Sequence, residues 1–144
     1  MNGIRILCDT NVLIHLLNNN TDVIEFLDGK SIIISSITEL ELYGRQMNPQ
    51  ELEIISSLID SCIVVDLIQP IKKIVIQLKQ KYQIKLPDAI IAATSIYYDI
   101  PLVTFDSDFQ KKAICIREFY TRQNSFNTES LFRRTLFTWS SVSN

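Results

Sequence analysis

The chain is poor in the residues that build several common kinds of functional site. Its 144 residues include only 3 glycines and one histidine. Three scattered glycines cannot form a Gly-rich phosphate loop, which excludes the nucleotide sites built on such a loop. The lone histidine, His15, has no Ser or Cys nucleophile elbow near it in sequence. A catalytic triad is therefore not indicated, and we expect a partly buried structural side chain.

Cysteine is equally scarce. Cys8, Cys62 and Cys115 lie far apart, each within a β-branched run. They lack the close spacing of a zinc site or a redox motif. We therefore expect small buried hydrophobic side chains in a reduced compartment.

Long hydrophobic runs and an excess of one charge are also missing. No apolar run reaches the roughly 20 residues that cross a bilayer, and the opening segment lacks the pattern of a signal peptide. We expect a cytoplasmic protein with no membrane partner. The net charge is −2, so composition alone does not indicate nucleic-acid binding, and any basic surface must be local.

What remains is a hydrophobic content of 47%, enough for one compact domain. Short β-branched runs alternate with helical patterns, which is typical of an α/β fold with a mostly parallel sheet covered on both faces. The predicted strands are 4–8, 31–35, 62–67, 101–105 and 113–117. The predicted helices lie near 11–18, 21–28, 37–46, 49–60, 70–82 and 87–98.

The last part of the chain differs in composition. Residues 118–144 are rich in Ser, Thr, Asn, Arg and Phe and show no sustained periodicity. We predict a domain over 1–117 and a C-terminal extension over 118–144. This extension is expected to be a tail or to hold one short amphipathic helix, which would contain Leu131, Phe132, Leu136 and Phe137.

Four acidic residues lie at points where apolar runs end or begin. Asp9 and Asp106 directly follow predicted strands, Glu41 comes shortly after a third strand, and Asp88 opens an apolar helix. Open α/β sheets bind ligands beyond the carboxyl ends of their strands. Carboxylates gathered there repel one another, and a divalent cation such as Mg²⁺ or Mn²⁺ offsets that cost. The chemistry then available is metal-assisted phosphodiester hydrolysis.

Each acid also has a structural alternative. Asp9 can cap a helix, Glu41 can be solvated, and Asp88 can simply favour the positive end of a helix. Asp106 resembles a turn residue, and Asp108 fits either a helix cap or a support group better than a direct metal ligand. Only the joint arrangement of the acids argues for a site.

Four segments resemble, in order, the motifs of PIN-domain nucleases, together covering about residues 4–117. They are Cys8-Asp9-Thr10-Asn11-Val12-Leu13-Ile14, Ser36-Ile37-Thr38-Glu39-Leu40-Glu41-Leu42, Leu86-Pro87-Asp88-Ala89-Ile90-Ile91-Ala92-Ala93 and Leu102-Val103-Thr104-Phe105-Asp106-Ser107-Asp108-Phe109. The compact size and the Thr-x-x-Glu-Leu and Pro-Asp-Ala forms look most like the VapC-type toxins of VapBC pairs. The resemblance implies a three-layer α/β/α domain with a central sheet of four to five strands.

The resemblance also implies roles for individual residues. Glu41 is preferred to Glu39 because it stands three residues after Thr38, as in the family motif. The implied catalytic and metal-binding acids are Asp9, Glu41, Asp88 and Asp106, with support from Asn11, Thr104 and Asp108.

The implied function is that of an endoribonuclease toxin using Mg²⁺ or Mn²⁺. Its implied partners are RNA, a cognate antitoxin and a second copy of the chain, and we expect Arg45 to help hold the RNA backbone. Two alternatives stay open. An aspartyl-phosphate phosphatase would need an acid two residues after Asp9, where Asn11 stands. A PIN-like fold could also serve as a non-catalytic protein-interaction module.

Overall fold

The structure, a computed structural model, describes the backbone of residues 3–123 and 136–138. In these ranges the strands are β1 (Arg5–Cys8), β2 (Ser31–Ser35), β3 (Ile63–Val65), β4 (Leu102–Thr104) and β5 (Leu136–Thr138). The helices are α1 (Thr10–Leu17), α2 (Thr21–Leu27), α3 (Ser36–Tyr43), α4 (Pro49–Asp60), α5 (Gln69–Lys81), α6 (Leu86–Tyr98) and α7 (Ser107–Gln123). The six predicted helices are all confirmed, with ends that move by three residues at most.

The five strands form one parallel sheet in the order β3-β2-β1-β4-β5. Leu7 of β1 is in register with Ile33 on one side and with Leu102 on the other. The chain fills the sheet outward in both directions from β1, so strand order reverses between β1 and β4. This is where α/β sheets open a crevice at their carboxyl ends. Asp9 and Asp106, which the sequence places directly after predicted strands, follow these two neighbouring strands.

Side chains that alternate along β1 divide the core into two layers. Ile6 and Cys8 pack with residues of α1, α2 and α4 on one face of the sheet, whereas Leu7 packs with α5, α6 and α7 on the other. Both layers are apolar, which explains why the strand sequences are hydrophobic throughout. The predicted three-layer α/β/α architecture is confirmed.

Helix α6 determines the position of Asp88. Every residue from Ala89 to Ser95 is buried, so the helix lies deep against the sheet. Pro87 stands in its first turn, where the missing N–H has no cost. Asp88 is therefore held at the start of a rigid, buried element.

The predicted strand at 113–117 is wrong, because these residues belong to α7. Phe109, Ala113 and Ile116 are buried while Ile114 and Cys115 are exposed, which is helical spacing. The local β-branched composition was misleading. The expectation of a buried Cys115 fails for the same reason, whereas Cys8 is buried.

The C-terminal extension also differs from expectation. Helix α7 runs to Gln123, so the predicted boundary between 117 and 118 falls inside a helix. Leu136 and Phe137 belong to β5, which pairs with β4, and not to the predicted amphipathic helix. The other two residues of that predicted helix, Leu131 and Phe132, lie outside the described residues. Over the ranges the structure covers, none of the helices combines the length and the apolar character needed to cross a membrane.

Candidate functional site

Asp9 is the most constrained of the four acids. It caps α1: its Oδ1 accepts a 2.7 Å hydrogen bond from the Thr10 backbone N–H. Its Oδ2 accepts a 2.8 Å hydrogen bond from the Thr104 hydroxyl, and its own N–H donates to the Val103 carbonyl at 3.0 Å. The side chain is 6% exposed. One carboxylate oxygen is thus held by the start of α1 and the other by the end of β4.

Glu41 reaches the same end of the sheet from α3. Its Oε2 accepts a 2.6 Å hydrogen bond from the Thr10 hydroxyl, which also lies 3.2 Å from the Thr38 hydroxyl. Residues three apart share a helix face, which is why Thr38 and Glu41 both meet Thr10. Glu39 makes no such hydrogen bond among the described residues. Of these two acids, Glu41 is the one that contacts the residue next to Asp9.

Asp106 starts α7. Its Oδ1 accepts hydrogen bonds from the backbone N–H groups of Asp108 at 3.0 Å and Phe109 at 3.1 Å. Its own N–H donates to the Thr104 hydroxyl at 3.2 Å. Asp106 therefore caps α7, a role that the sequence indicated for Asp108, whereas Asp106 itself resembled a turn residue. The cap uses one carboxylate oxygen and leaves the second for another ligand.

Asp88, in the first turn of α6, is half-buried and lies within electrostatic range of the other acids. Burial, together with the charges of Asp9 and Asp106, raises the pKa of Asp88 to about 6, although the nearby Lys85 ammonium acts in the opposite direction. Burial also raises the pKa of Asp9, against its hydrogen bonds from Thr104 and Thr10. The fold therefore holds carboxylates where their ionised forms are disfavoured.

The charges of neighbouring acids act on both Asp9 and Asp88. The charges of Glu41 and Asp106 raise the pKa of Asp9, and the charges of Asp9, Asp106 and Glu41 raise that of Asp88. This all-oxygen donor set fits a hard divalent cation such as Mg²⁺. As they stand, however, no three His, Cys, Asp or Glu side chains of the described part are grouped closely enough to hold a metal ion. Direct ligation would need Glu41, Asp88 or Asp106 to turn inward, or water to bridge, as Mg²⁺ sites commonly allow.

The three predicted support residues differ in placement. Thr104 is buried and hydrogen-bonded to Asp9, as expected of a support residue. Asn11 is exposed and makes no hydrogen bond to the acids among the residues described. Asp108 is exposed, and its link to the site is a backbone N–H bonded to Asp106, so the helix cap is Asp106 and not Asp108.

Two further residues lie beside the acids without having been predicted from the sequence. Thr10 contacts both Asp9 and Glu41, and Gln110 donates from Nε2 to the Thr104 carbonyl at 2.7 Å. Thr10 stands between two quoted motif residues, and this adjacency to Asp9 was the only available signal. His15 packs edge-to-face with Phe105 at 5.1 Å between ring centroids, a structural role as predicted. Arg45 lines a groove with Leu17 and Ile55, and none of the four acids lines that groove.

Comparison with known proteins identifies a matching family and several similar structures. The family model of the PIN domain matches residues 6–114. Comparison with curated proteins found no match. Among solved structures, a chain of a toxin–antitoxin complex from Klebsiella pneumoniae is similar with 31% sequence identity and a TM-score of 0.63, over 71% of this chain and 87% of that one.

Two further structures are similar in fold. FitAcB from Neisseria gonorrhoeae is 23% identical with a TM-score of 0.64, over 75% of this chain and 92% of that one. VapBC2 from Rickettsia felis, bound to a DNA fragment from its promoter, is 23% identical with a TM-score of 0.61 and the same coverage of both chains, 75% and 92%.

Proposed function

This chain belongs to the PIN domain family, as the match over residues 6–114 shows, and from that membership we propose that it is a metal-dependent endoribonuclease and the toxin of a toxin–antitoxin pair. The four-motif resemblance noted in the sequence is thereby confirmed at the level of family. The proposal adds the substrate, the cofactor and the residues: RNA, Mg²⁺ or Mn²⁺, and the acids Asp9, Glu41, Asp88 and Asp106.

The observation that carries the proposal is the raised pKa of two acids in one crevice. Carboxylates that serve only as caps or solvated groups need no mutual contact, yet Asp88 is disfavoured as an anion by burial and by three neighbouring acids. Retaining such a cluster costs stability unless a cation offsets it. Perturbed acids in a cleft at the switch point of a parallel sheet are typical of a functional site.

The four acids have different proposed roles in the reaction. A bound divalent cation would lower the pKa of a water and neutralise charge that develops on the phosphate. Asp9 and Asp106 are proposed as its direct ligands, with Asp88 binding directly or through water. Glu41 acts as a further ligand or orients the attacking water for in-line displacement at phosphorus. No side-chain nucleophile is required.

The proposed partners follow from charge and from the relatives. Lys85 lies close enough to Asp88 to lower its pKa, so a cation stands beside the cleft where an RNA phosphate would approach. The similar chain from Klebsiella pneumoniae comes from a structure described as a toxin–antitoxin complex. We therefore propose a cognate antitoxin as the protein partner, and a homodimer as the assembly.

A pair of charge-removing substitutions on α3 tests the proposal. Purified protein is incubated with total RNA in Mg²⁺ and, separately, in EDTA. Wild type is expected to cleave only with Mg²⁺. Glu41→Gln should lose cleavage by about 10- to 100-fold, whereas the matched control Glu39→Gln should retain it. Equal cleavage in EDTA, or equal loss in both variants, would contradict the proposal.

The same assay addresses the non-catalytic alternative. A PIN-like interaction module would cleave no RNA under any condition and would bind no Mn²⁺ in a calorimetric titration. Cleavage that requires Mg²⁺ excludes that alternative.

A further inference from the structure

We infer that Thr10 is a positioning residue that fixes Glu41 relative to Asp9. This inference rests on the proposed function, since it concerns how two of the proposed ligands are held. Thr10 is 7% exposed and follows Asp9 directly at the start of α1. It contacts both acids with different groups, through its backbone N–H on one side and its hydroxyl on the other.

The two contacts differ in what they connect. The backbone N–H of Thr10 lies 2.7 Å from Asp9 Oδ1 and belongs to the helix cap. The hydroxyl lies 2.6 Å from Glu41 Oε2, a residue 31 positions away on a different helix. One residue therefore determines the separation of two carboxylates that approach the crevice from separate elements.

The hydroxyl groups of Thr38 and Thr10 form a chain of hydrogen bonds in which each donates towards Glu41. Thr10 Oγ1 lies within hydrogen-bond distance of both Glu41 Oε2 and Thr38 Oγ1, but a hydroxyl carries only one hydrogen. An ionised carboxylate can only accept, so the Thr10 hydrogen goes to Glu41. The Thr38 hydroxyl then donates to Thr10. Thr38 is fully buried, so this chain starts from a rigid point in the core.

Glu41 needs this restraint more than Asp9 does. The Glu41 side chain is exposed and has several rotatable bonds, so without a partner it would sample many rotamers. Asp9 has a short side chain with both oxygens bonded. Residues that orient metal ligands typically change metal affinity by about 10- to 100-fold when their hydrogen bond is removed.

The test is a calorimetric Mn²⁺ titration of the full chain with an isosteric substitution. Thr10→Val removes the hydroxyl and keeps the branched shape, and it should weaken Mn²⁺ affinity by about tenfold or more. Thr10→Ser restores the hydroxyl and should bind nearly as wild type does. If Thr10→Val does not fold, Thr10→Ala gives the same comparison. Thr94→Val is the matched control, because Thr94 is also buried but its hydroxyl bonds the Ile90 carbonyl of its own helix.

A double variant shows whether Thr10 acts through Glu41. In the Glu41→Ala background, Thr10→Val should cause no further loss of Mn²⁺ affinity, because the carboxylate that it orients is gone. Unchanged affinity in Thr10→Val, or an equal loss in both backgrounds, would overturn the inference while leaving the metal site intact. Absence of Mn²⁺ binding in wild type would overturn the metal site and this inference with it.

Discussion

The hydroxyl of Thr104 donates a 2.8 Å hydrogen bond to Oδ2 of Asp9, a residue 95 positions earlier in the chain. The two residues lie at the carboxyl ends of β4 and β1, which are neighbours in the sheet although they are remote in sequence. The same hydroxyl accepts from the backbone N–H of Asp106. Thr104 thus connects two of the proposed metal ligands at the point where strand order reverses.

Removing that hydroxyl should affect activity more than folding. Thr104→Val keeps the buried branched shape but leaves Asp9 Oδ2 and the Asp106 N–H without this partner. We expect RNA cleavage to fall by about 10- to 100-fold and the free energy of unfolding to fall by about 1–2 kcal/mol. Cleavage rates and urea unfolding measure the two effects. Thr104→Ser should retain cleavage, and a Thr104→Val protein with full activity would contradict the assigned role.

The free energy of unfolding should fall as pH rises, because the Asp88 carboxyl loses its proton. Its pKa is about 4 in an unfolded chain but about 6 in the folded protein, so the folded state binds the proton more tightly. Stability is then lost as pH rises from about 4 to about 6 and stays lower above that range. Asp88→Asn removes this effect. Since the side chain is only partly buried, we expect a gain of about 1 kcal/mol at about pH 8 in EDTA.

The pH dependence separates this explanation from a general effect of the substitution. Urea unfolding is measured for wild type and Asp88→Asn at several pH values, always with EDTA. The stability difference should shrink as pH falls from about 6 to about 4, because the wild-type carboxyl becomes protonated in the folded state. A gain that does not change with pH would show that the charge is not its cause.

Replacing Arg117 should lower the stability of the protein and leave the Mn²⁺ affinity of the proposed site unchanged. Its buried guanidinium donates from Nη2 to the Ser95 hydroxyl and to the Ile100 carbonyl, the latter at 2.8 Å. These contacts tie α7 to the segment that enters β4, whereas the acids lie where β4 ends. Arg117→Met should lower the free energy of unfolding by about 2–4 kcal/mol in urea. Mn²⁺ affinity, measured where the variant is fully folded, should remain within about twofold, and a larger change would contradict this separation.

Several features of the fold follow from local patterns. Asp9 and Asp106 directly follow apolar runs that the sequence identifies as strands, and parallel strands present their carboxyl ends at one edge. The burial of α6 follows from a helix that is apolar nearly all round. These parts could be predicted because short-range composition and a general rule of sheet topology are sufficient.

The remaining features depend on contacts that no local pattern encodes. The bond between Thr10 and Glu41 spans 31 positions, and only the packing of α3 beside α1 reveals it. The segment 113–117 has strand-like composition, but burial of Ala113 and Ile116 on one helical face decides its structure. Leu136–Thr138 becomes a strand because β4 offers an edge with which it pairs.

The central claim is that the acids of the crevice bind a divalent cation, and that they repel one another when no cation is bound. A calorimetric Mn²⁺ titration of wild type and Asp9→Asn, combined with thermal unfolding of both in EDTA, tests it most directly. We predict that wild type binds Mn²⁺, and that Asp9→Asn does not bind yet unfolds at the same temperature or higher, because its substitution removes a buried charge near Glu41 and Asp106. Equal Mn²⁺ binding by both proteins, or no binding by wild type, would contradict the account.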